Sequence, residues 1–140
     1  MKTFIGALAI TSLLLCSFQT EHDWEDNLIG FWVLREYKGQ ECSYHKSRNF
    51  LADSPGVRFM KEGKLTVRLN TGLHTLPGKS YDNFQDYDGS WKRIDSTFIL
   101  KYKFKQGDVK EIWELSRVDS NTLVIHLYGS LGMPPLNRFE

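Results

Sequence analysis

Short runs of alternating apolar and polar residues, separated by turn-forming residues, occupy most of this chain. In residues 65–70 every second side chain is apolar, which is typical of a β-strand with one buried and one exposed face. No helical period longer than one or two turns follows residue 20. We expect further strands at residues 29–37, 57–60, 87–94, 97–104, 109–118, 122–128 and 136–139.

Tight turns connect many of these runs. Residues 61–64 supply Gly63 where a hairpin needs a positive φ, and Asp95-Ser96 forms a two-residue turn. Because such turns make consecutive strands pair with each other, the economical topology is antiparallel and up-and-down. Closure of the sheet removes its exposed edges. The pattern therefore predicts an all-β fold, an antiparallel up-and-down β-barrel of about eight to nine strands.

Two polar stretches interrupt the pattern, at residues 38–55 and 71–86. The first is longer than an ordinary hairpin connection, so we expect a lid there or a helical turn at residues 46–52. In a barrel, both stretches would lie around the open end.

The N-terminus has the pattern of an export signal. Residues 4–15 form an uncharged apolar run behind Lys2, shorter than the roughly 20 residues that span a membrane. We expect a signal peptide at residues 1–20 and one barrel domain at residues 21–140, exported to the periplasm, the cell envelope or the medium. Cys16 follows three leucines, as in a bacterial lipobox, so membrane attachment through an acylated Cys16 is one alternative. Soluble cleavage and an uncleaved, buried N-terminal helix are the others.

Charge and cysteine content exclude several classes of protein. The chain carries 18 Lys and Arg against 17 Asp and Glu, and removal of residues 1–20 takes Lys2 away and leaves no net charge. A neutral chain has no electrostatic footprint for nucleic acid. Cys42 would then be the single cysteine, so the mature domain has no internal disulfide.

The sequence carries no recognisable catalytic or metal-binding motif. Its four histidines lack the close spacing that a zinc site requires, and Gly-x-Ser-x-Gly and phosphate-binding glycine loops are absent. Two carboxylate pairs, Asp86 with Asp88 and Glu111 with Glu114, have the residue type that glycoside hydrolysis uses. Because Asp86 and Asp88 alternate before Gly89 at the start of a strand, we interpret them as turn and solubility residues. We therefore expect a protein that is not an enzyme, with no catalytic residue, metal or cofactor.

Strand alternation selects a set of side chains for the barrel interior. These residues would line an apolar pocket for a small hydrophobic ligand, with the Tyr and Trp edges orienting it. The alternative is that they fill a solid barrel. The predicted lining residues are Phe59, Val67, Trp91, Leu100, Tyr102 and Trp113.

The order of motifs along residues 28–128 resembles that of bacterial lipocalin-like families of small exported or lipid-anchored barrels. The first motif is the Gly-x-Trp of Gly30 and Trp32, followed by an aromatic-bearing strand, a glycine turn and a further strand at residues 57–67. A second Gly-x-Trp, with Gly89 and Trp91, precedes the train of hairpins that ends in the run at residues 122–125.

The resemblance implies a structural plug at one end of the barrel. In those families the first-strand Trp closes one end and an Arg from the last strand packs across it. Carried over here, Gly30 and Trp32 belong to the plug, and Arg138 is the cation, with Arg117 as the alternative. A cation–π contact of this kind contributes about 0.5–2 kcal/mol.

The resemblance also implies a function, an exported barrel that binds or carries a small hydrophobic molecule. The alternative is an envelope protein-interaction module or an inhibitor with a solid core, acting through its loops. That alternative expects an exposed aromatic patch made of Tyr44, Phe50, Tyr81 and Phe84.

Overall fold

The computed structural model describes residues 24–71, 83–105 and 107–131. In these residues the chain forms eight strands, a helical segment at residues 24–28 and a 3-10 turn at Lys61–Gly63. Within them, no helix has the length and apolar character needed to cross a membrane. The strands are β1 (Gly30–Lys38), β2 (Glu41–Ser47), β3 (Gly56–Phe59), β4 (Lys64–Asn70), β5 (Phe84–Ile94), β6 (Thr97–Phe104), β7 (Gly107–Val118) and β8 (Thr122–Leu131).

Antiparallel pairing closes the eight strands into a barrel, which confirms the predicted fold class. Around the barrel the order is β1-β2-β8-β7-β6-β5-β4-β3. From β3 to β8, each strand lies beside its neighbours in sequence, as expected for antiparallel strands that follow one another along the chain. At the start of the chain β1 lies between β2 and β3, and β2 closes the barrel against β8.

The prediction for residues 38–55 was wrong, because this stretch contains β2 rather than a helical turn. Cys42 and Tyr44 are 1% and 3% exposed and point into the barrel, while Ser43 between them is only half-buried. Two inward side chains in a polar stretch are a weak periodic signal. The strand forms because its backbone pairs with β1 on one side and β8 on the other.

The connection from β2 to β3, residues 48–55, crosses the outside of β1. The Phe50 ring packs edge-on against Phe31 at a centroid distance of 5.0 Å, and the Leu34 N–H donates to the Pro55 carbonyl at 2.9 Å. Phe50 is therefore half-buried. Since Tyr44 lies inside the barrel, the expected exposed patch of Tyr44, Phe50, Tyr81 and Phe84 does not form as predicted.

The helical segment at residues 24–28 covers the end of the barrel at which β1 begins. Its Leu28 is fully buried, and the Trp24 ring lies 6.1 Å from the ring of Phe98. We call this end, with Trp24, Leu28, Trp32 and the rings beneath them, the closed end.

Several predictions concern parts of the chain outside the described residues. These are the signal peptide, the acylation of Cys16, the strand at residues 136–139, and the positions of Tyr81 and Arg138.

Candidate functional site

Trp32 lies at the closed end and carries a lysine on its ring. The indole is fully buried, and its Nε1 donates to the Leu28 carbonyl at 2.7 Å. Lys46 Nζ lies 4.4 Å from the ring centroid and donates to the carbonyls of Asn27 and Ile29 at 2.5 and 2.6 Å. Partial burial lowers the pKa of the Lys46 ammonium. The hydrogen bonds and the cation–π contact offset that cost of burial.

Gly30 provides the space that this lysine occupies. Its φ is +130°, and a Cβ at this position would lie 2.9 Å from Lys46 Cε. Arg138 is outside the described residues, and Arg117 is bound instead to Asp119, with Nη2 and Oδ2 2.7 Å apart. Sequence reasoning missed Lys46 because it lies on β2, the strand predicted to be a loop.

Aromatic side chains pack against one another in the interior at the closed end. Phe59 meets Trp91 edge-on at 5.5 Å, and Trp91 lies 6.0 Å from Phe98. The Trp91 indole donates to the Met60 carbonyl at 3.0 Å. Phe59 and Trp91, two of the predicted lining residues, therefore contact other side chains of the core.

Farther from the closed end, a carboxylate lies in the barrel interior. Glu111 on β7 is 1% exposed. Among the buried side chains of the described residues, it is the one of charged type. The Tyr102 hydroxyl donates to Oε1 at 2.5 Å, and the Trp113 indole donates to Oε2 at 2.8 Å. Tyr44 stacks on Trp113 at 5.7 Å. We call these four residues the Glu111 cluster.

Strand geometry explains how the cluster assembles. Successive inward positions on β7 are Val109, Glu111 and Trp113, so Glu111 and Trp113 share one face. Leu100 on β6 pairs directly with Glu111, which makes Tyr102 the diagonal neighbour of the carboxylate. A bulge between β7 and β8 falls between residues 112 and 113, and bulges of this kind twist strands and adjust side-chain direction.

Sequence reasoning did not select Glu111 as an interior residue. The residue occupies the apolar face of an alternating run, where a charged side chain is rarely found. The signal was present in the sequence, because Val109 and Trp113 flank it at intervals of two.

The structure buries all six predicted lining residues in one core cluster. Their exposed fractions run from 0% for Val67, Leu100 and Trp113 to 9% for Trp91. Phe59 and Trp91 pack at the closed end, and Tyr102 and Trp113 belong to the Glu111 cluster.

Hydrogen bonds from two side chains hold the carboxylate of the Glu111 cluster. The two carboxylate oxygens accept one hydrogen bond each, from the Tyr102 hydroxyl and from the Trp113 indole, whose N–H can only donate. Burial of a carboxylate costs several kcal/mol unless such bonds offset it. In the described ranges no three His, Cys, Asp or Glu side chains form a group that could hold a metal ion.

A groove of about 640 Å³ runs across β5, β6 and β7, and Tyr102 of the Glu111 cluster is among the residues that line it. Lysines and aspartates both line it, including Lys101, Lys110 and Asp108, so its charge is mixed. Gly89 lies in its wall opposite Tyr102, at a point where a Cβ would be 2.1 Å from the Lys101 carbonyl oxygen.

Fold and site together define a closed antiparallel β-barrel with a carboxylate held inside it. Comparison with known proteins finds no family model, no curated protein and no solved structure that matches this chain. The resemblance to lipocalin-like families stays a prediction from the sequence.

Proposed function

We propose that this protein is a barrel carrier that binds a small, mainly apolar molecule and holds its polar group at the Glu111 cluster. The observation that carries the proposal is the buried Glu111 carboxylate, oriented through both oxygens by Tyr102 and Trp113. The aromatic side chains around it supply the apolar wall.

The composition of the Glu111 cluster supports a binding role. Replacement of a buried ionic group by packed apolar residues is often neutral or stabilising. Ligand sites, in contrast, combine apolar walls with a few oriented polar groups. Buried ionisable side chains are also concentrated at functional sites.

The sequence pattern supports a location for this carrier. The apolar run at residues 4–15 favours export, with residues 1–20 removed or with Cys16 acylated at the membrane. The proposal includes no catalytic step and no nucleic-acid partner.

Native mass spectrometry of the protein purified from its own host tests the proposal. We expect a bound small molecule that is released on denaturation, and binding of the neutral apolar dye Nile red to the emptied protein. Glu111→Gln keeps the shape of the side chain and removes its charge, and it should lower ligand occupancy. Glu114→Gln is the matched control on the same strand, because Glu114 bonds to the exposed Tyr128.

The alternative function is an interaction module or inhibitor with a solid barrel. The observation that favours it is the aromatic packing of Phe59, Trp91 and Phe98, which fills the closed end. An unliganded mass together with no Nile red binding would support this alternative and overturn the carrier.

A further inference from the structure

We infer that the groove across β5, β6 and β7 binds a phosphate monoester, with the phosphate group between Lys101 and Lys110. This site lies on the outer face of the barrel, so it goes beyond the proposed carrier function and does not depend on it. It follows from the strand register, from the charges along one row of the outer face and from the groove itself.

Strand register places Lys101 and Lys110 directly opposite each other. Lys101 on β6 is exposed between two buried neighbours, and it pairs with Lys110 on β7. On the other side Lys101 pairs with Ser90 of β5, and Ser90 pairs with Lys64 of β4. Across these four strands, three lysines and a hydroxyl follow one another with no carboxylate among them. We call Lys64, Ser90, Lys101 and Lys110 the lysine row.

The two central ammonium groups of this row have like charge at paired positions. Like charges directly opposite each other destabilise an antiparallel sheet. The ion pairs formed within the described residues include neither Lys101 nor Lys110. Lys64, at the end of the row, lies 3.9 Å from Glu62. An anion between Lys101 and Lys110 would turn their repulsion into attraction to a shared partner.

The groove gives such an anion a concave position beside the lysines. Its volume is about 640 Å³, and Ser90, Lys101 and Lys110 all line it. Pockets of about 300–1,000 Å³ hold small molecules, so a small ester fits this volume. Each ammonium has three N–H donors, and the serine hydroxyl can donate as well.

A phosphate monoester matches the charge of the lysine row better than a carboxylate does. Near pH 7 its charge is about −1.5 to −2, and its three terminal oxygens accept hydrogen bonds. Two ammonium groups therefore balance one phosphate, whereas a carboxylate would balance one of them. Lysine binds phosphate as a point charge and does not need the bidentate geometry that arginine provides.

The rows on either side of the lysine row orient the ester. On the side away from the closed end, Asp88, Lys103 and Asp108 line the groove, and their two carboxylates repel a phosphate. On the side of the closed end, Ile99 pairs with Ile112, and each is a half-buried residue between two buried ones. The uncharged body of the ester would therefore lie along Ile99 and Ile112.

A titration with butyl phosphate tests the inference, followed by amide correlation NMR at about pH 7.5 and low ionic strength, where exposed charges are least screened. We expect shift changes concentrated in residues 88–92, 99–103 and 108–112. Butyl phosphate should bind at least about threefold more tightly than inorganic phosphate, because its alkyl chain adds apolar contact. It should bind at least about tenfold more tightly than butanoate, which lacks the second charge.

Paired substitutions locate the site. Lys101→Gln combined with Lys110→Gln should weaken butyl phosphate binding at least about tenfold. The melting temperature without ligand should not fall, since the substitutions also remove the repulsion between the two lysines. The matched control is Arg35→Gln combined with Lys38→Gln, which removes the same charge from exposed positions on β1, four strands away from β6 around the barrel. This control should change binding by less than about twofold.

The outcomes separate a built site from general attraction of an anion. Equal weakening in the two paired variants, or shift changes spread over the whole surface, would overturn the site. Butanoate binding as tightly as butyl phosphate would overturn the phosphate. Nile red binding tests the carrier function separately, so either proposal can fail alone.

Co-sedimentation with vesicles identifies the source of the phosphate. Sedimentation with phosphatidylcholine vesicles that contain phosphatidic acid, lost in the variant of Lys101 and Lys110, would assign the groove to a lipid headgroup. Butyl phosphate binding without sedimentation would assign it to a soluble ester. Absence of both would overturn the inference.

Discussion

The two polar sites inside this barrel use hydrogen bonds differently. At the closed end, Lys46, Trp32 and Trp91 all donate to backbone carbonyls. In the Glu111 cluster, two side chains donate to a third side chain. Backbone acceptors are fixed by the fold, whereas side chains change rotamer and exchange partners. The closed end is therefore held by acceptors whose positions the fold sets, whereas the hydrogen bonds of the Glu111 cluster depend on side-chain rotamers.

Trp32→Ala breaks the closed end and should have the largest effect. Truncation of a fully buried Trp leaves a cavity, and we expect a loss of about 3–5 kcal/mol in the free energy of unfolding. Denaturant unfolding followed by circular dichroism measures it, with Ile94→Ala, at a site 53% exposed, as the control. A loss below about 1 kcal/mol would contradict the plug.

Gly89→Ala should disturb the strands that carry the Glu111 cluster. Because the new Cβ would lie 2.1 Å from the Lys101 carbonyl oxygen, β5 and β6 must move apart beside Tyr102. We expect a loss of about 1–3 kcal/mol in stability, together with weaker Nile red binding. Gly129→Ala is the control, since a Cβ there meets nothing within 4 Å. Equal stability of the two variants would show that β5 and β6 tolerate the methyl group.

Lys46→Met tests how much the Lys46 ammonium stabilises the closed end. It removes the hydrogen bonds to Asn27 and Ile29 and the contact with the Trp32 ring, while it keeps an unbranched apolar stem. We expect a loss of about 1–2 kcal/mol in thermal or denaturant unfolding. Lys92→Met, at an exposed position, should change stability by less than about 0.5 kcal/mol. Equal losses of stability in Lys46→Met and Lys92→Met would refute a stabilising role for Lys46.

Asp119→Asn supplies a reference outside both regions and should have the smallest effect. Backbone N–H groups of Asn121 and Thr122, and then Arg117, hold the pKa of the Asp119 carboxyl below its ordinary value of 3.8. The carboxylate therefore stabilises the folded state above pH 3.8, and this contribution is lost as pH falls through the lowered pKa. The melting-temperature difference between wild type and variant should shrink in that acid range. A difference that stays constant there would contradict this role.

Alternation and turn residues predicted the barrel because each strand from β3 to β8 pairs with the next strand in sequence. The run predicted at residues 97–104 is β6 with the same bounds, and Gly63 has the positive φ that its turn requires. β2 was missed because its pairing with β8 is set by residues far away in sequence. Lys46 lies on β2 and was missed with it. Glu111 was not selected for the interior, because a charged side chain is rarely fully buried.

Because β2 pairs with β8, the barrel closes only after the last of the eight strands has been synthesised. The pairs that close the barrel, such as Cys42 with Ile125, join the first quarter of the described chain to its last strand. Until β8 has left the ribosome, one edge of β2 has no partner and is open to pairing with other chains. Contacts this distant in sequence slow folding to a scale on the order of milliseconds to seconds. A nascent chain with this topology therefore depends on protection of that edge until its C-terminal hairpin arrives.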